Sequence, residues 1–332
     1  MTKILSSKDV RYPGTEWYSV GREPRVYEAH APGDLLGVHA ELMASNLLPG
    51  EELRYLLYSP IWDGTWAPFD MSAQPASHAL AVTKGRFLLT RDLHRDDTDP
   101  TVFSIPFDRV LLAECGNAHL LGWFSLRCVL EDGPGRVSVL FRATGAELFS
   151  SAIRHYRQAL PRQVSMVGCA QRRAAWHDLW KRMGRPDVRE VRPLILDDEV
   201  LLAWLRAGAS WRYRRELLGK RPQCHRPENL LLWTCRGAIH VIHEPDVHPK
   251  SPSFGLTVRT IPREAMRLAE VAGEGTLRLA LGRDKVVMYV EVPFDKEYRD
   301  QAESLALGLQ RPVPPCRGEL GIRQAAGGPL PY

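Results

Sequence analysis

The residues of this sequence best suited to bind a charged partner are cations that lie among aromatic residues in the middle of the chain. Residues 161–226 contain 15 Lys and Arg against 7 Asp and Glu, whereas the whole chain has a net charge of +5. Clustered cations attract phosphate groups, and aromatic neighbours suit a membrane surface or the stacking of nucleic-acid bases. The candidates for binding an anion or a lipid are Arg172, Arg173, Lys181, Arg182, Arg212, Arg214, Arg215, Lys220, Arg221 and Arg226.

An amphipathic helix with a tryptophan face is predicted within this basic segment. Four apolar residues follow the helical spacing i, i+3, i+4 and i+7, namely Trp176, Leu179, Trp180 and Met183. We favour internal packing of this face, with Trp176 and Trp180 as candidates for contact with a partner. An anionic membrane surface is the next interpretation. Nucleic acid is the least favoured partner, because no recognised nucleic-acid motif accompanies the charge.

A second helix is predicted over residues 197–209, where Leu201, Leu202, Trp204 and Leu205 recur close to helical spacing. The alternative is that residues 196–200 are a second version of residues 48–53. In that case they open a repeated segment of the chain.

Residues that could bind a metal are present but poorly spaced. His240 and His243 lie three apart on a predicted strand, so their side chains face opposite sides of it. His243, Asp246 and His248 could converge only if the strand ends at His243. The sequence also has no phosphate-binding glycine loop, no Gly-x-Ser-x-Gly elbow and no His-Glu-x-x-His motif. We therefore expect no metal, no cofactor and no catalytic residue.

An aromatic loop near residue 65 is a candidate for binding a protein partner. Residues 58–80 contain no Lys or Arg but include Trp62, Trp66 and Phe69 among Pro, Gly and Asp. Large aromatic side chains on loops either fold back onto their own domain or serve as anchors of an interface. The absence of cations makes this loop a poor phosphate site.

One phrase of the sequence occurs twice. Ser104-Ile105-Pro106 precedes Leu112-Ala113-Glu114, and Thr260-Ile261-Pro262 precedes Leu268-Ala269-Glu270 at the same spacing. A match of this kind indicates a duplicated domain. The recurrence of the glutamate at one position of both copies indicates a structural role, either pairing with a nearby arginine or capping of backbone amides.

The flanks of the two phrases also match. Each phrase follows a predicted hairpin, at residues 80–90 and 231–241, and precedes two further strands and one helix. This order resembles the pleckstrin-homology-like superfold, and most closely its bacterial pleckstrin-homology and GRAM-type members. The resemblance implies two barrels of antiparallel strands, each with a C-terminal helix. It also implies binding of phosphoinositides, peptides or proteins, with headgroup-binding cations in and beside the first hairpin loop.

The predicted fold is therefore α+β, with two such barrels joined by a helical connector. We expect an N-terminal arm at residues 1–45, domains at 46–160 and 214–309, a basic connector at 161–213 and an extended Pro/Gly-rich tail at 310–332. The predicted function is that of a non-enzymatic adaptor or assembly subunit that binds protein partners, with self-association as an option. The alternative is a peripheral membrane protein that uses the connector and the second domain on anionic lipid.

Composition agrees with a globular protein of the cytoplasm. The chain is 44% hydrophobic and 25% charged, and it has no apolar run long enough for a membrane span and no signal-peptide core. Its six cysteines include no Cys-x-x-Cys pair. We expect free and mostly buried thiols.

Overall fold

The computed structural model describes residues 25–61, 76–93, 99–118, 121–131, 133–161, 179, 181, 194–197, 199, 201–216, 219–245, 253–283 and 285–310. Within these ranges the fold is α+β, with antiparallel sheets and few helices, as predicted. The α-helices with described bounds are α1 (His39–Asn46), α2 (Ala146–Ala159) and α3 (Arg299–Gln310). None of the helices in the described part of the chain has the length and hydropathy needed to cross a bilayer.

The strands fall into an N-terminal and a C-terminal set. The first set is β1 (Tyr27–Glu28), β2 (Leu53–Ser59), β3 (Ser77–Thr83), β4 (Arg86–Asp92), β5 (Thr101–Pro106), β6 (Val110–Ala118), β7 (Leu121–Leu130) and β8 (Gly133–Arg142). The second is β9 (Leu201–Ala207), β10 (Ser210–Glu216), β11 (Gly219–Arg226), β12 (Glu228–Thr234), β13 (Gly237–Pro245), β14 (Ser253–Pro262), β15 (Met266–Ala272), β16 (Thr276–Arg283) and β17 (Val286–Pro293).

In the described part of the chain the sheets do not close into the two barrels that the sequence predicts. A five-stranded sheet has the order β1-β2-β3-β4-β5, and a three-stranded sheet has the order β15-β16-β17. A seven-stranded sheet has the order β8-β7-β6-β14-β13-β12-β9, and β10 pairs with β11. The physical reason is that β6, instead of returning to its own first sheet, pairs with a strand from the other half of the chain.

The repeated phrase occupies the same register position in both halves. Ile105 on β5 lies opposite Phe87, and Ile261 on β14 lies opposite Ala238, in each case the second residue of the neighbouring strand. The predicted equivalence of the two isoleucines is confirmed. We refer below to the first repeat (residues 48–160) and the second repeat (residues 196–310).

A turn with the same hydrogen bonds opens each repeat. The amide of Leu48 donates to the Glu51 carboxylate at 3.0 Å, and the amide of Leu196 donates to the Glu199 carboxylate at 3.1 Å. The alternative equivalence of residues 196–200 and 48–53 is thereby confirmed. The predicted helix over 197–209 is wrong, because β9 pairs with β12 as β2 pairs with β3.

This pairing also changes where the second repeat begins. The boundary predicted at residue 214 falls inside β10, and β9 lies within the segment assigned to the connector. Part of the predicted basic connector is therefore an integral part of the second repeat.

Each repeat buries the inner face of its sheets against its closing helix. The predicted apolar stripe of α2 is confirmed, since Phe149, Ala152, Ile153 and Tyr156 are all buried. In α3, Ala302 and Leu305 pack into the core of the second repeat. The helices thereby cover one open end of the sheet pair and supply much of the apolar burial that stabilises it.

The outer face of the first sheet is covered by residues from the predicted N-terminal arm. Met43 of α1 is fully buried against Ala79, Ala81 and Leu88. Because α1 covers this face and α2 covers the other, every residue of β3 is buried. The described part of the arm therefore packs on the first repeat, as predicted.

The two repeats share the seven-stranded sheet. Strands β6 and β14 pair antiparallel over six residue pairs, from Ala113 opposite Thr260 to Ala118 opposite Gly255. Across this ladder Arg259 Nε donates to Glu114 Oε2 at 2.7 Å. In the second repeat Glu270 pairs with Arg278 at 3.2 Å. Both repeated glutamates thus pair with arginines, which is one of the two structural roles that the sequence leaves open.

A buried polar network also connects the repeats. Arg157, on the last turn of α2, donates to the Glu199 carboxylate and to the Leu194 carbonyl, and Thr234 donates to the same carboxylate. Arg236 donates to the carbonyl oxygens of Arg157 and Gln158, both at 3.0 Å, and so satisfies the C-terminal end of α2. Helix α2 of the first repeat is thus bonded to the turn before β9 and to the β12–β13 hairpin of the second repeat.

Candidate anion-binding hairpin

The loop after the first strand is rich in cations in the second repeat and has none in the first. In the second repeat it forms the hairpin β10–β11, inserted between β9 and β12. Residues 210–226 contain six Lys and Arg against one Glu. In the first repeat the loop between β2 and β3 has no Lys or Arg, and residues 62–75 lie outside the described residues.

The hairpin brings together six of the ten cations proposed for anion binding. Arg214 lies directly opposite Arg221, and Arg215 lies directly opposite Lys220. Like charges at directly opposed positions repel each other and destabilise a strand pair. The register therefore concentrates positive charge along both arms of the hairpin.

Aromatic and apolar residues accompany these charges. Trp211 and Tyr213 flank Arg212 on β10, and the chain passes from Glu216 to Gly219 through Leu217 and Leu218. The two leucines lie outside the described residues. Trp and Tyr with neighbouring cations and leucines are the residue types found where a protein meets a membrane surface.

The base of the hairpin is fixed by Arg226. Its guanidinium donates to Asp295 at 2.8 Å and to the Gly208 carbonyl at 2.9 Å, while the Gly208 amide donates to Asp295 at 2.8 Å. Asp295 immediately precedes the turn that leads into α3. Arg226 therefore holds the hairpin against the end of the second repeat, and the other five cations belong to its arms.

A cavity of about 360 Å³ lies beside this base. It is lined by Arg206, Gly208, Asp295, Glu297 and Tyr298. Arg206 pairs with Glu228 at 2.6 Å, just as Arg226 pairs with Asp295. Because both arginines already have carboxylate partners, the arms of the hairpin are the better candidate for an anion site.

The remaining candidates from the sequence are only partly described. Lys181 is helical and exposed, and the neighbouring Leu179 is helical and buried in the core of the second repeat. Both agree with the predicted amphipathic helix. The candidates Trp62, Trp66, Phe69, Arg172, Arg173, Trp176, Trp180 and Arg182 lie outside the described residues.

The buried histidines His240 and His39 contact neutral polar side chains of neighbouring strands. His240 is bonded through Nε2 to Asn229 Oδ1 at 2.9 Å, and burial lowers its pKa to about 3. His39, which sequence reasoning missed, contacts Thr90 and Ser77 at 2.7 and 2.8 Å. Across the described ranges, no group of three His, Cys, Asp or Glu residues is arranged to hold a metal. Asp246 and His248 lie outside them.

Burial also dominates at His78, which faces the interior of the first repeat. Its pKa is lowered to about 3, first by burial and then by the charge of Arg91. Both groups titrate far below neutral pH, so His78 and His240 are uncharged in the folded protein. The described cysteines Cys115, Cys128 and Cys235 are free and buried, as expected.

Sequence comparison identifies no family. No protein-family model matches the chain, and no curated protein matches it in sequence. The site is therefore interpreted from its own residues.

Proposed function

We propose that this protein is a non-enzymatic scaffold that binds an anionic bilayer surface through the β10–β11 hairpin. The observation that supports this proposal is the convergence of Arg212, Arg214, Arg215, Lys220 and Arg221 on the two arms of one hairpin. Its base is fixed to the body of the second repeat by Arg226. Because the base is fixed, the second repeat is held next to the bilayer when the hairpin binds it.

The resemblance to pleckstrin-homology-like domains supports the same location. In the first repeat four strands precede three strands and a closing helix, and the second repeat has the same order once the inserted hairpin β10–β11 is set aside; this is the order of that superfold. The hairpin occupies the first inter-strand loop of the second repeat, where the resemblance implies headgroup-binding cations. The equivalent loop of the first repeat has no cations, so only the second repeat is assigned to the bilayer.

The charge of the hairpin is sufficient for reversible binding. One Lys or Arg near an anionic membrane surface contributes about 1 kcal/mol. The five cations of the arms exceed their one carboxylate, Glu216, by four, which corresponds to about 4 kcal/mol before the aromatic residues are counted. Because the surface potential decays over about 8 Å at physiological salt, this attraction must weaken as salt rises.

Vesicle co-sedimentation tests the proposal. We expect the full chain to sediment with phosphatidylserine-containing vesicles at low salt, to be released by about 0.5 M salt because the surface potential is then screened, and not to sediment with pure phosphatidylcholine. Duplex DNA serves as the competing polyanion, because two-stranded β-ribbons also enter the major groove. No binding to the anionic vesicles, equal binding to both lipids, or release by equimolar DNA would each overturn the proposal.

A further inference from the structure

A row of three polar side chains crosses the inner face of the five-stranded sheet. Ser59 on β2 lies directly opposite His78 on β3, and His78 lies directly opposite Arg91 on β4. Side chains at directly opposed positions of antiparallel strands point to the same face of a sheet. Leu80, two residues from His78 on that face, is buried in the core of the first repeat. The row therefore borders an apolar core, where polar groups need partners.

Each of these three side chains has a buried polar atom that makes no hydrogen bond. Ser59 is 1% exposed and His78 is 6% exposed. The Ser59 hydroxyl, both ring nitrogens of His78 and Nε of Arg91 have no hydrogen-bond partner among the described residues. The Ala76 backbone approaches the His78 ring without forming a hydrogen bond of good geometry. Because buried polar groups nearly always have partners, three neighbouring exceptions indicate a site for a partner from outside the chain.

Arg91 supplies the one positive charge of the row. Burial keeps the His78 ring neutral at physiological pH, because it lowers the pKa of that ring to about 3. Within the described ranges Arg91 forms no ion pair. Arg91 is half-buried, whereas Ser59 and His78 are buried. The row is therefore closed at Ser59 and open to solvent at its cation.

The second repeat does not have this row. Its equivalent strands place Ala207 opposite Asn229 and Asn229 opposite Ile242. Asn229 and His78 both lie five residues before the threonine that ends their strand. The Asn229 amide donates to a backbone carbonyl and its oxygen contacts the His240 ring, both at 2.9 Å. The fold therefore does not require a cation or unbonded polar atoms at these positions, and the row is a specific feature of the first repeat.

We propose that Ser59, His78 and Arg91 bind the carboxylate group of a small organic acid. A guanidinium forms short, charge-assisted hydrogen bonds to a carboxylate, and a hydroxyl and a neutral imidazole each add one donor. The single cation matches the single negative charge of a carboxylate. A phosphate carries nearly two negative charges, so part of its charge would be left buried without compensation.

Titration of the full chain with acetate, with sodium chloride keeping the ionic strength constant, tests this site. The histidine ring signals are followed by NMR, and the His78 signal is the one missing from the spectrum of His78→Gln. We expect a saturable shift of this signal with a dissociation constant on the order of 1 mM, which is within reach of a ligand of this size. Inorganic phosphate should bind more weakly than acetate, because the row has only one cation.

Arg91→Gln should raise the dissociation constant for acetate at least about tenfold, because it removes the charge-assisted hydrogen bonds. The matched control is Arg54→Gln, which removes a cation of β2 that pairs with Glu52 at 3.4 Å. This variant should bind acetate as the wild type does, and the melting temperature of each variant checks its folding. The absence of a saturable shift, tighter binding of phosphate than of acetate, or equal losses in both variants would each overturn the proposal. The experiment contains no lipid, so its result is independent of the proposed binding to a bilayer.

Discussion

Replacing Glu199 with alanine is expected to lower the free energy of unfolding by about 3 to 5 kcal/mol. The Glu199 side chain is fully buried and accepts from Arg157, Thr234 and the Leu196 amide. Its removal leaves the buried guanidinium of Arg157 without its carboxylate, and an uncompensated buried charge has a cost of that size. Urea unfolding followed by tryptophan fluorescence measures the change.

Two further variants serve as controls for this prediction. Glu303→Ala removes a carboxylate from the exposed pair with Arg299 at 2.8 Å and should change stability by at most about 0.5 kcal/mol. Glu51 is the equivalent of Glu199 in the first repeat, and its hydrogen bonds to Arg86 lower its pKa to about 2. Because that pair is more exposed than Arg157 and Glu199, Glu51→Ala should destabilise less. A loss under about 1 kcal/mol for Glu199→Ala would contradict the role of the buried network.

Reversing four charges on the hairpin is expected to abolish binding to anionic vesicles. The variant changes Arg212, Arg214, Lys220 and Arg221 to Glu. Loss of four cations at about 1 kcal/mol each weakens binding about 1000-fold, and the new carboxylates add repulsion. Vesicle co-sedimentation at low salt, with the melting temperature as a check on folding, measures the effect.

A variant of equal net charge makes this result specific. Lys84, Arg127, Arg136 and Arg154 are exposed cations of the first repeat, and Arg127 lies directly opposite Arg136 as Arg214 lies opposite Arg221. Changing these four to Glu should leave most of the binding intact. If both variants lose binding equally, overall charge and not the hairpin attracts the protein to the bilayer.

Local sequence patterns were sufficient to predict the repeat but not the strand β9. The spacing of the repeated phrase predicts the register of Ile105 and Ile261 correctly, and in both halves the proline is the last residue of the strand that carries the isoleucine. Leu201, Trp204 and Leu205 suggested a helix, yet they lie on a strand with buried residues on both faces. Such a strand has no alternation of apolar and polar residues, so periodicity cannot distinguish it from a helix.

The hairpin and the junction between repeats depend on contacts that are distant in sequence. A helix over residues 197–209 places Arg212 to Arg215 in a connector, and local patterns do not show that they belong to the first loop of the second repeat. The alternation of Trp211 and Tyr213 with Arg212 and Arg214, with Gly219 a few residues later, is the sequence signal that could identify the hairpin. Arg259 and Glu114 are 145 residues apart in the sequence. No local sequence pattern indicates that their strands pair.

Hydrogen–deuterium exchange of the full chain, with and without phosphatidylserine vesicles, tests the central claim most directly. If the hairpin is the bilayer-binding surface, amides of residues 210–226 exchange more slowly in the presence of vesicles, while those of the first repeat at 48–160 do not change. The charge-reversed variant should show no such protection. Protection of the first repeat with none in the hairpin, while the protein is bound to vesicles, would contradict the account.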